Sequence, residues 1–428
     1  MRPLCQSPQR PGFLPLWGAC LVLQGLPQMA TAITLTDAVH LGLAAHPEVR
    51  SAMAEVNRAS TDLDMSKNGY YPKVDASAGP EDGMFGDMGY DLTVSQRLYD
   101  WGRVESQVDT ASAKLREQTE SLLVVREDAA LDICEIYLDV LTTEQRLDAV
   151  RSHIARLGKL GDLIRERASA GYTDSGEESR ANLELARAQE QLLIEKGALQ
   201  DAEQQYRQLI GGPAAGLEQP GDDSFSAHLI GAGDLDNAIA QSPLYRKAKQ
   251  KQAVEEAKVR EADASMFPQL NLEGSLLRRE LGGQLTSDSV IALRIRMDTI
   301  AGLSIFQRPA AARQSLEAAE WNVDTMRRDI RRKVSSLVEN ESTVKWREQS
   351  LREQIKHAKE VDAVYQDQFV VGLRDMTDML TIEHERFEAE RQLINLQSEH
   401  KRVQYRAAAQ LGLLVPLLEE RLPPRGTS

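Results

Sequence analysis

The sequence is poor in several residue types, and each shortage excludes a class of protein. It has 3 cysteines in 428 residues, and aromatic residues make up only 5% of the chain. Cys5 and Cys20 lie within the first 32 residues, so Cys134 alone remains beyond them and no intrachain disulfide can form there. Because Cys134 falls in the apolar helical spacing of Leu131 and Leu138, we predict a buried thiol rather than a nucleophile.

Basic residues are also in short supply. The chain has 51 of them against 65 acidic residues, which gives a formal net charge of −14. Residues 1–32 contain two arginines and no acids, so the remaining chain has a net charge of −16. A protein that binds nucleic acid by neutralising phosphates needs a basic surface. The composition therefore excludes a nucleic-acid partner of that kind.

Long apolar runs are absent except near the start of the chain. The run from Phe13 to Leu26 follows Arg2 and Arg10 and precedes Ala30-Thr31-Ala32. A basic start, a short apolar stretch and a small-residue cleavage site are the parts of a secretory signal peptide. A membrane-spanning helix needs about 20 apolar residues, whereas this run is shorter, is interrupted by Pro15, Gly18 and Gln24, and is flanked by Pro11 and Pro27.

We therefore expect residues 1–32 to be a signal peptide and the mature chain to start near Ile33. A lipoprotein signal is the alternative, because Leu16-Trp17-Gly18-Ala19-Cys20 loosely resembles a lipobox. The bulky Trp17 and the continuation of the apolar run beyond Cys20 argue against it.

No later stretch is apolar enough for a spanning helix. Lipid offers no hydrogen-bond partners to unpaired backbone groups, so a mature chain that enters a membrane must do so as a closed β-barrel. A soluble periplasmic protein is the alternative. The pattern of the predicted strands decides between the two.

The chain contains a tandem duplication. The segment His46-Pro47-Glu48-Val49 is matched 196 residues later by Ser242-Pro243-Leu244-Tyr245. The segment Gly171-Tyr172-Thr173-Asp174 is matched 201 residues later by Gly372-Leu373-Arg374-Asp375. Such self-similarity indicates repeated structural units. We predict two repeats, residues 33–212 and 233–412, with a linker at 213–232 and a C-terminal tail at 413–428.

Each repeat has the same predicted order of a first helix, two strands, a very long helix and a return helix. The predicted first and long helices are Thr36–Asn68 and Val104–Ala170 in one repeat, and Asp234–Ser265 and Ala310–Val371 in the other. The long helices contain no proline, so each is a rod of about 100 Å. They break at Gly171 and Gly372, and the return helices end at Gly211 and Gly412. Asp174 and Asp375 are candidate N-caps of the return helices.

The strands carry the most informative pattern. Four apolar residues, Ile291, Leu293, Ile295 and Met297, alternate with Ala292, Arg294, Arg296 and Asp298. One apolar face and one charged face are typical of a barrel strand with lipid outside and water inside. Weaker strand patterns cover Lys73–Gly79, Tyr90–Leu98 and Leu270–Leu276, with turns at Gly83–Gly89 and Gly282–Ser287.

Four strands per chain cannot close a membrane barrel, since the smallest have about eight. A membrane protein with these strands must therefore form an oligomer in which the sheet edges of different subunits pair. The strand pattern does not choose between two, three or four copies. Two hairpins that cover a soluble core are the alternative interpretation.

Two motifs add a resemblance to a known family. The segment Leu98-Tyr99-Asp100-Trp101-Gly102-Arg103 is similar to a motif that follows the second strand in the TolC family of outer-membrane efflux and secretion proteins. The segment from Phe369-Val370-Val371-Gly372 to Asp378-Met379-Leu380 resembles that family's helix turn near the periplasmic tip. The resemblance covers about Ile33–Leu414. The second repeat departs from it, with Ile300-Ala301-Gly302 in place of Trp101-Gly102-Arg103.

The resemblance implies an α+β membrane protein that forms a homotrimer. Its long helices would form a coiled-coil tunnel in the periplasm, and its four strands per chain would contribute to a twelve-stranded barrel in the outer membrane. The implied function is the channel of a tripartite export system, for type I protein secretion or efflux. The implied partners are a periplasmic adaptor, an inner-membrane ABC or proton-driven pump, and outer-membrane lipid.

The resemblance also implies a gate at the tip. Arg374 and Asp378 match the family's arginine and acid that hold the entrance closed and favour cations, while a further family acid falls on Thr381. The offset of 201 pairs Asp174 with Asp375 and Glu177 with Asp378. The predicted gate therefore comprises Arg374, Asp375, Asp378, Asp174 and Glu177, with Gly171 and Gly372 at the helix turns. The alternative is that these acids merely favour helix N-termini.

No catalytic pattern survives scrutiny. His384-Glu385-Arg386-Phe387-Glu388 starts like a zinc-protease motif, but Glu388 replaces the second histidine. We therefore predict no enzyme activity, no cofactor and no metal site. A soluble periplasmic coiled-coil adaptor or scaffold remains the alternative function, and it would need no lipid-facing strands. Between secretion and efflux, the resemblance around Ser95–Arg103 favours protein secretion.

Overall fold

The computed structural model describes residues 33–80, 88–169, 175–221, 235–281, 284–297 and 307–419. The predicted signal peptide, most of the linker between the repeats and the end of the tail lie outside these residues. Gly171 and Asp174, two of the predicted tip residues, also lie outside them. The remaining predicted site residues are all described.

The two repeats contain the same elements in the same order. The first comprises α1 (Leu35–Ala45), α2 (Pro47–Lys67), a 3-10 turn (Asn68–Tyr70), β1 (Lys73–Pro80), β2 (Met88–Tyr99), α3 (Arg103–Ser169) and α4 (Ser175–Ile210). The second comprises α5 (Leu235–Gln241), α6 (Pro243–Ala264), β3 (Gln269–Leu281), β4 (Gln284–Arg296), α7 (Arg308–Val370) and α8 (Met376–Leu411). A short helix, α9 (Leu414–Glu419), follows.

The predicted long helices are confirmed. The α3 helix has 67 residues and α7 has 63, so each extends for about 100 Å at 1.5 Å per residue. The return helices α4 and α8 have 36 residues each. In the described part of the chain, no helix combines the length and the apolarity needed to cross a membrane.

The prediction of one continuous first helix per repeat was wrong. The helix breaks at His46, which has φ −62° and ψ 123°, and again at Ser242, which has φ −59° and ψ 134°. Each of these residues precedes a proline, which disfavours the helical conformation before it. Pro47 and Pro243 then start α2 and α6, where a missing N–H costs nothing. The sequence contained this signal, but the prediction used these prolines only to align the repeats.

The four strands form one antiparallel sheet in the order β1-β2-β3-β4. The pairing of β2 with β3 joins the two repeats, with Leu92 opposite Leu276. The second hairpin is tighter than the predicted turn Gly282–Ser287, because Gln284 already pairs with Leu281. The sheet is thus a single layer built from both halves of the chain.

The predicted alternation is confirmed over most of β2, β3 and β4, and β1 has it as well. A bulge breaks it at the end of β2, where Tyr99 rather than Leu98 pairs with Leu270. Directly paired residues point to the same face of a sheet, and one face is largely apolar. Its members are Val74, Ala76, Tyr90, Leu92, Val94, Leu270, Leu272, Leu276, Ile291, Leu293 and Ile295. Large side chains on this face are exposed in the single chain, with Ile291 at 84% and Ile295 at 73% of their full accessibility. Met297 follows directly after β4 and is also exposed.

The largest hydrophobic core lies between the helices of both repeats. It brings together residues of α1, α3, α4, α8 and α9, with Tyr137 and Tyr206 fully buried at its centre. The Tyr137 hydroxyl lies 2.9 Å from the carbonyl oxygen of Ile33 and 2.6 Å from that of Glu218. Cys134 is in this core with no exposed surface, and burial raises the pKa of its thiol. The prediction of a buried cysteine is confirmed.

A buried carboxylate holds the last helix in place. Leu414 and Val415, at the start of α9, donate their backbone N–H groups to Glu127 of α3 at 3.0 and 3.2 Å. Burial raises the pKa of Glu127 to about 7, although these two N–H donors oppose the shift. Arg126 pairs with Glu419 at 2.9 Å, so α9 is tied to α3 at both of its ends.

Equivalent glycines end the two return helices in different surroundings. Gly211 has φ +81° and Gly412 has φ +72°, both in the left-handed region that favours glycine. A Cβ atom on Gly412 would overlap the ring of Pro243, whereas one on Gly211 would meet nothing within 4 Å. The second repeat is therefore packed more tightly at this point than the first.

This difference predicts unequal effects of the same substitution. Both Gly211→Ala and Gly412→Ala should cost about 1–2 kcal/mol for the left-handed backbone. Gly412→Ala should cost roughly 1–3 kcal/mol more, because Pro243 must move. Thermal unfolding of the purified protein in detergent would measure both. Equal losses of stability would contradict the close contact with Pro243.

Candidate functional site

The segment that follows the second strand joins the sheet to the helices. Asp100 caps α3, since its carboxylate accepts the backbone N–H groups of Gly102 at 3.1 Å and Val104 at 2.9 Å. Trp101 has a φ of 59°, which is unusual for a bulky residue. Its indole N–H donates to the carbonyl oxygen of Pro268 at 2.9 Å, and its ring stacks on Phe267 at 4.7 Å. This motif therefore links the first repeat to the second where the strands end.

At the other end of the long helices, Gly372 terminates α7. It has φ +81°, and its N–H donates to the carbonyl oxygen of Phe369 at 3.0 Å. The N–H of Leu373 donates to the backbone carbonyl oxygen of Gln368 at 2.9 Å. These two bonds and the left-handed glycine make a Schellman motif, which satisfies carbonyl groups at the end of the helix. The chain thus reverses sharply between α7 and α8.

Asp375 starts the return helix. Its carboxylate accepts the backbone N–H of Asp378 at 3.0 Å, and its backbone is extended, with φ −96° and ψ 168°. These are the features of an N-cap residue. The geometry therefore supports the alternative interpretation, in which Asp375 stabilises the start of a helix.

Arg374 bridges the end of α7 and the start of α8. Its Nη1 lies 2.9 Å from Oδ2 of Asp378, and its Nε donates to Gln368 Oε1 at 3.1 Å. The guanidinium carbon lies 4.3 Å from the ring centroid of Tyr365. The hydrogen bond to Asp378 raises the pKa of Arg374 further above its usual value. These contacts join the end of α7 to the first turn of α8 within one chain.

A hydrophobic cluster anchors this turn to the first repeat. Phe369, Met376 and Met379 are almost completely buried against Leu160 and Ile164 of α3. The cluster also includes Ala181 and Ala188 of α4. The two repeats are therefore packed together directly beneath the turn.

Arg167, which the sequence did not single out, braces the same turn from α3. Its Nη1 donates to the carbonyl oxygen of Phe369 at 2.9 Å, and its guanidinium carbon lies 4.4 Å from that residue's ring centroid. One arginine from each repeat thus stacks on an aromatic ring of α7. No feature of the sequence near Arg167 identified this role, because its partner is about 200 residues away.

The structure brings Gly372, Arg374, Asp375 and Asp378 together in a single turn. Glu177 lies in the first turn of α4 and is half-buried. Its helix reaches the same hydrophobic cluster through Ala181. The predicted tip residues that are described therefore lie at the ends of helices that pack on one cluster.

A buried network of charges lies further along the same helices. Glu383 of α8 is 4% exposed, with its Oε1 2.8 Å from Nδ1 of His153 and 2.6 Å from Nε of Arg156. Arg156 also pairs with Glu390 at 3.0 Å. The ring of His153 stacks on Phe387 at 4.2 Å. This network ties α3 of the first repeat to α8 of the second.

Several solved outer-membrane proteins are similar to this chain in fold. The outer-membrane channel OprN aligns with a TM-score of 0.75 and 18% identity over 88% of this chain and 89% of its own. The outer membrane protein VceC of Vibrio cholerae aligns with a TM-score of 0.76 and 15% identity, over 88% and 96%. The open state of the Neisseria gonorrhoeae MtrE channel aligns with a TM-score of 0.66 and 16% identity, over 89% of each chain.

The amino-acid sequence matches a family model, and this match identifies the family of the chain. The model of the outer membrane efflux protein family matches residues 38–212 and 235–412, one stretch in each repeat. The chain belongs to the outer membrane efflux protein family, and its location is the outer membrane. The predicted resemblance to TolC-type channels is confirmed.

A sequence relative matches a smaller part of the chain. Protein CyaE of Bordetella pertussis is 25% identical over 166 residues, which are 36% of this chain and 35% of CyaE. The match therefore spans about a third of that relative.

The cap at Asp375 predicts a local change of stability. Asp375→Ala should remove the acceptor for the Asp378 N–H and cost about 1 kcal/mol. Hydrogen exchange of the amides in the first turn of α8 should speed up, while the middle of α8 is unaffected. Asp375→Asn is the matched control, because it keeps an oxygen acceptor. Unchanged exchange in the alanine variant would show that the cap does not hold this turn.

Proposed function

We propose that the protein is the outer-membrane channel of a tripartite export system. In this role it provides a continuous exit duct from an inner-membrane pump and a periplasmic adaptor to the exterior. Membership of the outer membrane efflux protein family supports a channel for efflux or secretion. The observation that carries the proposal is the exposed apolar face of the sheet.

That face has no covering within the described part of the chain. Ile291, Leu293 and Ile295 each expose more than half of their accessible surface. Together with the apolar residues of the other three strands they form a continuous patch, which is unfavourable in water at about 25 cal/mol per Å². Lipid is the covering of matching chemistry. The proposed lipid-facing residues are those of the sequence prediction, Ile291, Leu293, Ile295 and Met297.

The edges of the sheet support a trimer. Among the described strands, β1 pairs only with β2, and β4 pairs only with β3. In lipid, the free backbone groups of both edges must find partners. We propose that β4 of one subunit pairs with β1 of the next, so that three chains close a twelve-stranded barrel. The rods of about 100 Å then extend into the periplasm as a helical tunnel.

The proposed partners follow from this arrangement. A duct that ends in the periplasm needs an adaptor and an inner-membrane pump, either ABC-type or proton-driven, to receive cargo. The resemblance around Ser95–Arg103 favours type I protein secretion over small-molecule efflux. A soluble adaptor or scaffold is disfavoured, because an apolar sheet face would be a liability in the periplasm.

The tip is the proposed gate. Arg374 pairs with Asp378 and lies over the ring of Tyr365, and these contacts would stabilise the turn in this conformation. In a trimer, three such turns would lie around the tunnel entrance, together with Asp375, Asp174 and Glu177. Like charges repel unless they are paired, so removal of the arginine would favour separation of the helix ends.

Membrane insertion predicts a difference between two neighbouring positions of β4. Leu293→Arg places a charge on the apolar face and should cost about 2–4 kcal/mol near the bilayer midplane. Ala292→Arg, on the polar face opposite Glu273, should be tolerated. The amount of trimer in outer-membrane fractions, seen by native electrophoresis, measures both.

Equal tolerance of the two arginines would show that the apolar face does not contact lipid. Recovery of the parent protein as a soluble periplasmic monomer after gentle lysis would contradict the channel and favour the scaffold function.

The proposed gate predicts changes in conductance. Arg374→Ser should raise the resting conductance of the protein in a planar bilayer several-fold, because Asp378 loses its partner. Arg374→Lys keeps the charge but loses the planar guanidinium group and its stacking on Tyr365. Its resting conductance should therefore lie between that of the parent and that of Arg374→Ser. Asp378→Asn should weaken cation preference and block by multivalent cations. Parent-like conductance and selectivity in all three variants would place the gate elsewhere.

A further inference from the structure

On the polar face of the sheet, basic and acidic side chains lie at different distances from the helices. Register defines the rows, because directly paired residues lie side by side. Near the helices, one row across the sheet contains Arg97, Asn271 and Arg294. In the adjacent row, one step closer to the helices, Arg296 lies opposite Gln269. Lys73 lies in the row on the hairpin side of Arg97 and Arg294, together with Ser95, Glu273 and Ala292. We call Lys73, Arg97, Arg294 and Arg296 the basic collar.

Only part of the collar's charge is neutralised. Glu273 is 5% exposed, and its carboxylate lies 2.9 Å from Arg294 and 2.5 Å from Arg296. Asp100 lies 3.5 Å from Arg97, but it also accepts two backbone N–H groups at the start of α3. Counted over the described residues of these rows and Asp100, four basic groups face two acids, which leaves a surplus of two positive charges per chain. The side chains of Arg294 and Arg296 remain more than half exposed.

The two rows that follow the collar toward the hairpins carry the opposite charge. Asp75 lies in one of them with Thr93, Ser275 and Val290. Asp91 and Asp288 lie in the next with Ser77 and Leu277. Neither row contains a basic residue. Six residues of β2 separate Arg97 from Asp91, or roughly 20 Å along the strand.

We propose that the basic collar is a binding site for multivalent anionic groups on passing cargo. This inference rests on the proposed trimeric barrel, in which the polar face lines the duct. Three chains then place twelve basic groups within three adjacent rows around a tube with low-dielectric walls, where the field of one sign is focused. Rings of charged side chains select ions in this way. The acidic rows nearer the exterior confine this attraction to the base of the barrel.

The competing interpretation is that Arg294 and Arg296 only stabilise the sheet through Glu273. The two interpretations differ in what Glu273→Gln should do. If the collar binds anions, loss of the carboxylate leaves both arginines free and strengthens binding. If the arginines act only on the sheet, the same substitution weakens the barrel and cannot improve binding.

The test uses the full-length trimer in a planar bilayer with inorganic triphosphate added on the barrel side. This probe reaches the collar without passing the helical tip. The half-blocking concentration is measured at about 0.1 M salt, where the Debye length is about 10 Å. We expect block of the parent channel, a loss of affinity of about tenfold in Arg294→Gln/Arg296→Gln, and a gain in Glu273→Gln. High salt should abolish the block.

Three control variants make the result specific. Arg294→Lys/Arg296→Lys keeps the charge and should keep the block, even if the geometry of the ion pairs changes. Asp148→Asn, on the exposed surface of α3 and about 70 Å along that helix from the sheet, should leave the block unchanged. Asp288→Asn removes an acid from the same strand as the arginines and should keep or strengthen the block.

The inference is overturned if triphosphate does not block a conducting parent channel. It is also overturned if the double glutamine variant is blocked like the parent, or if Glu273→Gln weakens the block. These outcomes leave the channel function intact. A parent protein without any conductance would instead overturn the proposed function, and the collar with it.

Discussion

The unpaired backbone groups at the two edges of the sheet are the constraint on which the rest of the molecule depends. An edge strand presents a row of N–H and C=O groups, and β1 and β4 each leave one such row open in the chain. The apolar face of the same sheet favours lipid, where open backbone groups are least tolerated. One chain cannot satisfy both demands. The proposed oligomer is the arrangement in which lipid covers the face while other subunits close the edges.

The helices inherit their positions from this sheet. The α3 helix starts four residues after β2, and the caps at Asp100 and the bond from Trp101 to Pro268 fix the angle at which it leaves. From there, uninterrupted helix carries the chain about 100 Å away from the strands. The residues of the tip are therefore held at the far end of stiff elements whose other ends are fixed in the sheet.

Much of this architecture was predictable because it depends on local patterns. The alternation at Ile291–Met297, the absence of proline from the interiors of the long helices and the glycine at 372 each specify a local conformation. The partners of charged residues were not predictable in the same way. Glu383 and His153 are 230 residues apart, and a single sequence carries no signal that they meet. Arg374 has several acids within reach, and only the turn geometry selects Asp378.

The pairing of β2 with β3 joins two similar halves in one covalent chain. A polypeptide with a single repeat would have two strands, and it could close a ring of the same size only as a hexamer of identical units. In the proposed trimer, fusion lowers the number of bodies that must meet during assembly from six to three. The two halves also need not stay identical, so Gly412 can pack against Pro243 while the surroundings of its equivalent, Gly211, stay open. The proposed ring would have pseudo-sixfold symmetry, in which equivalent helices of the two halves alternate and can differ in their contacts.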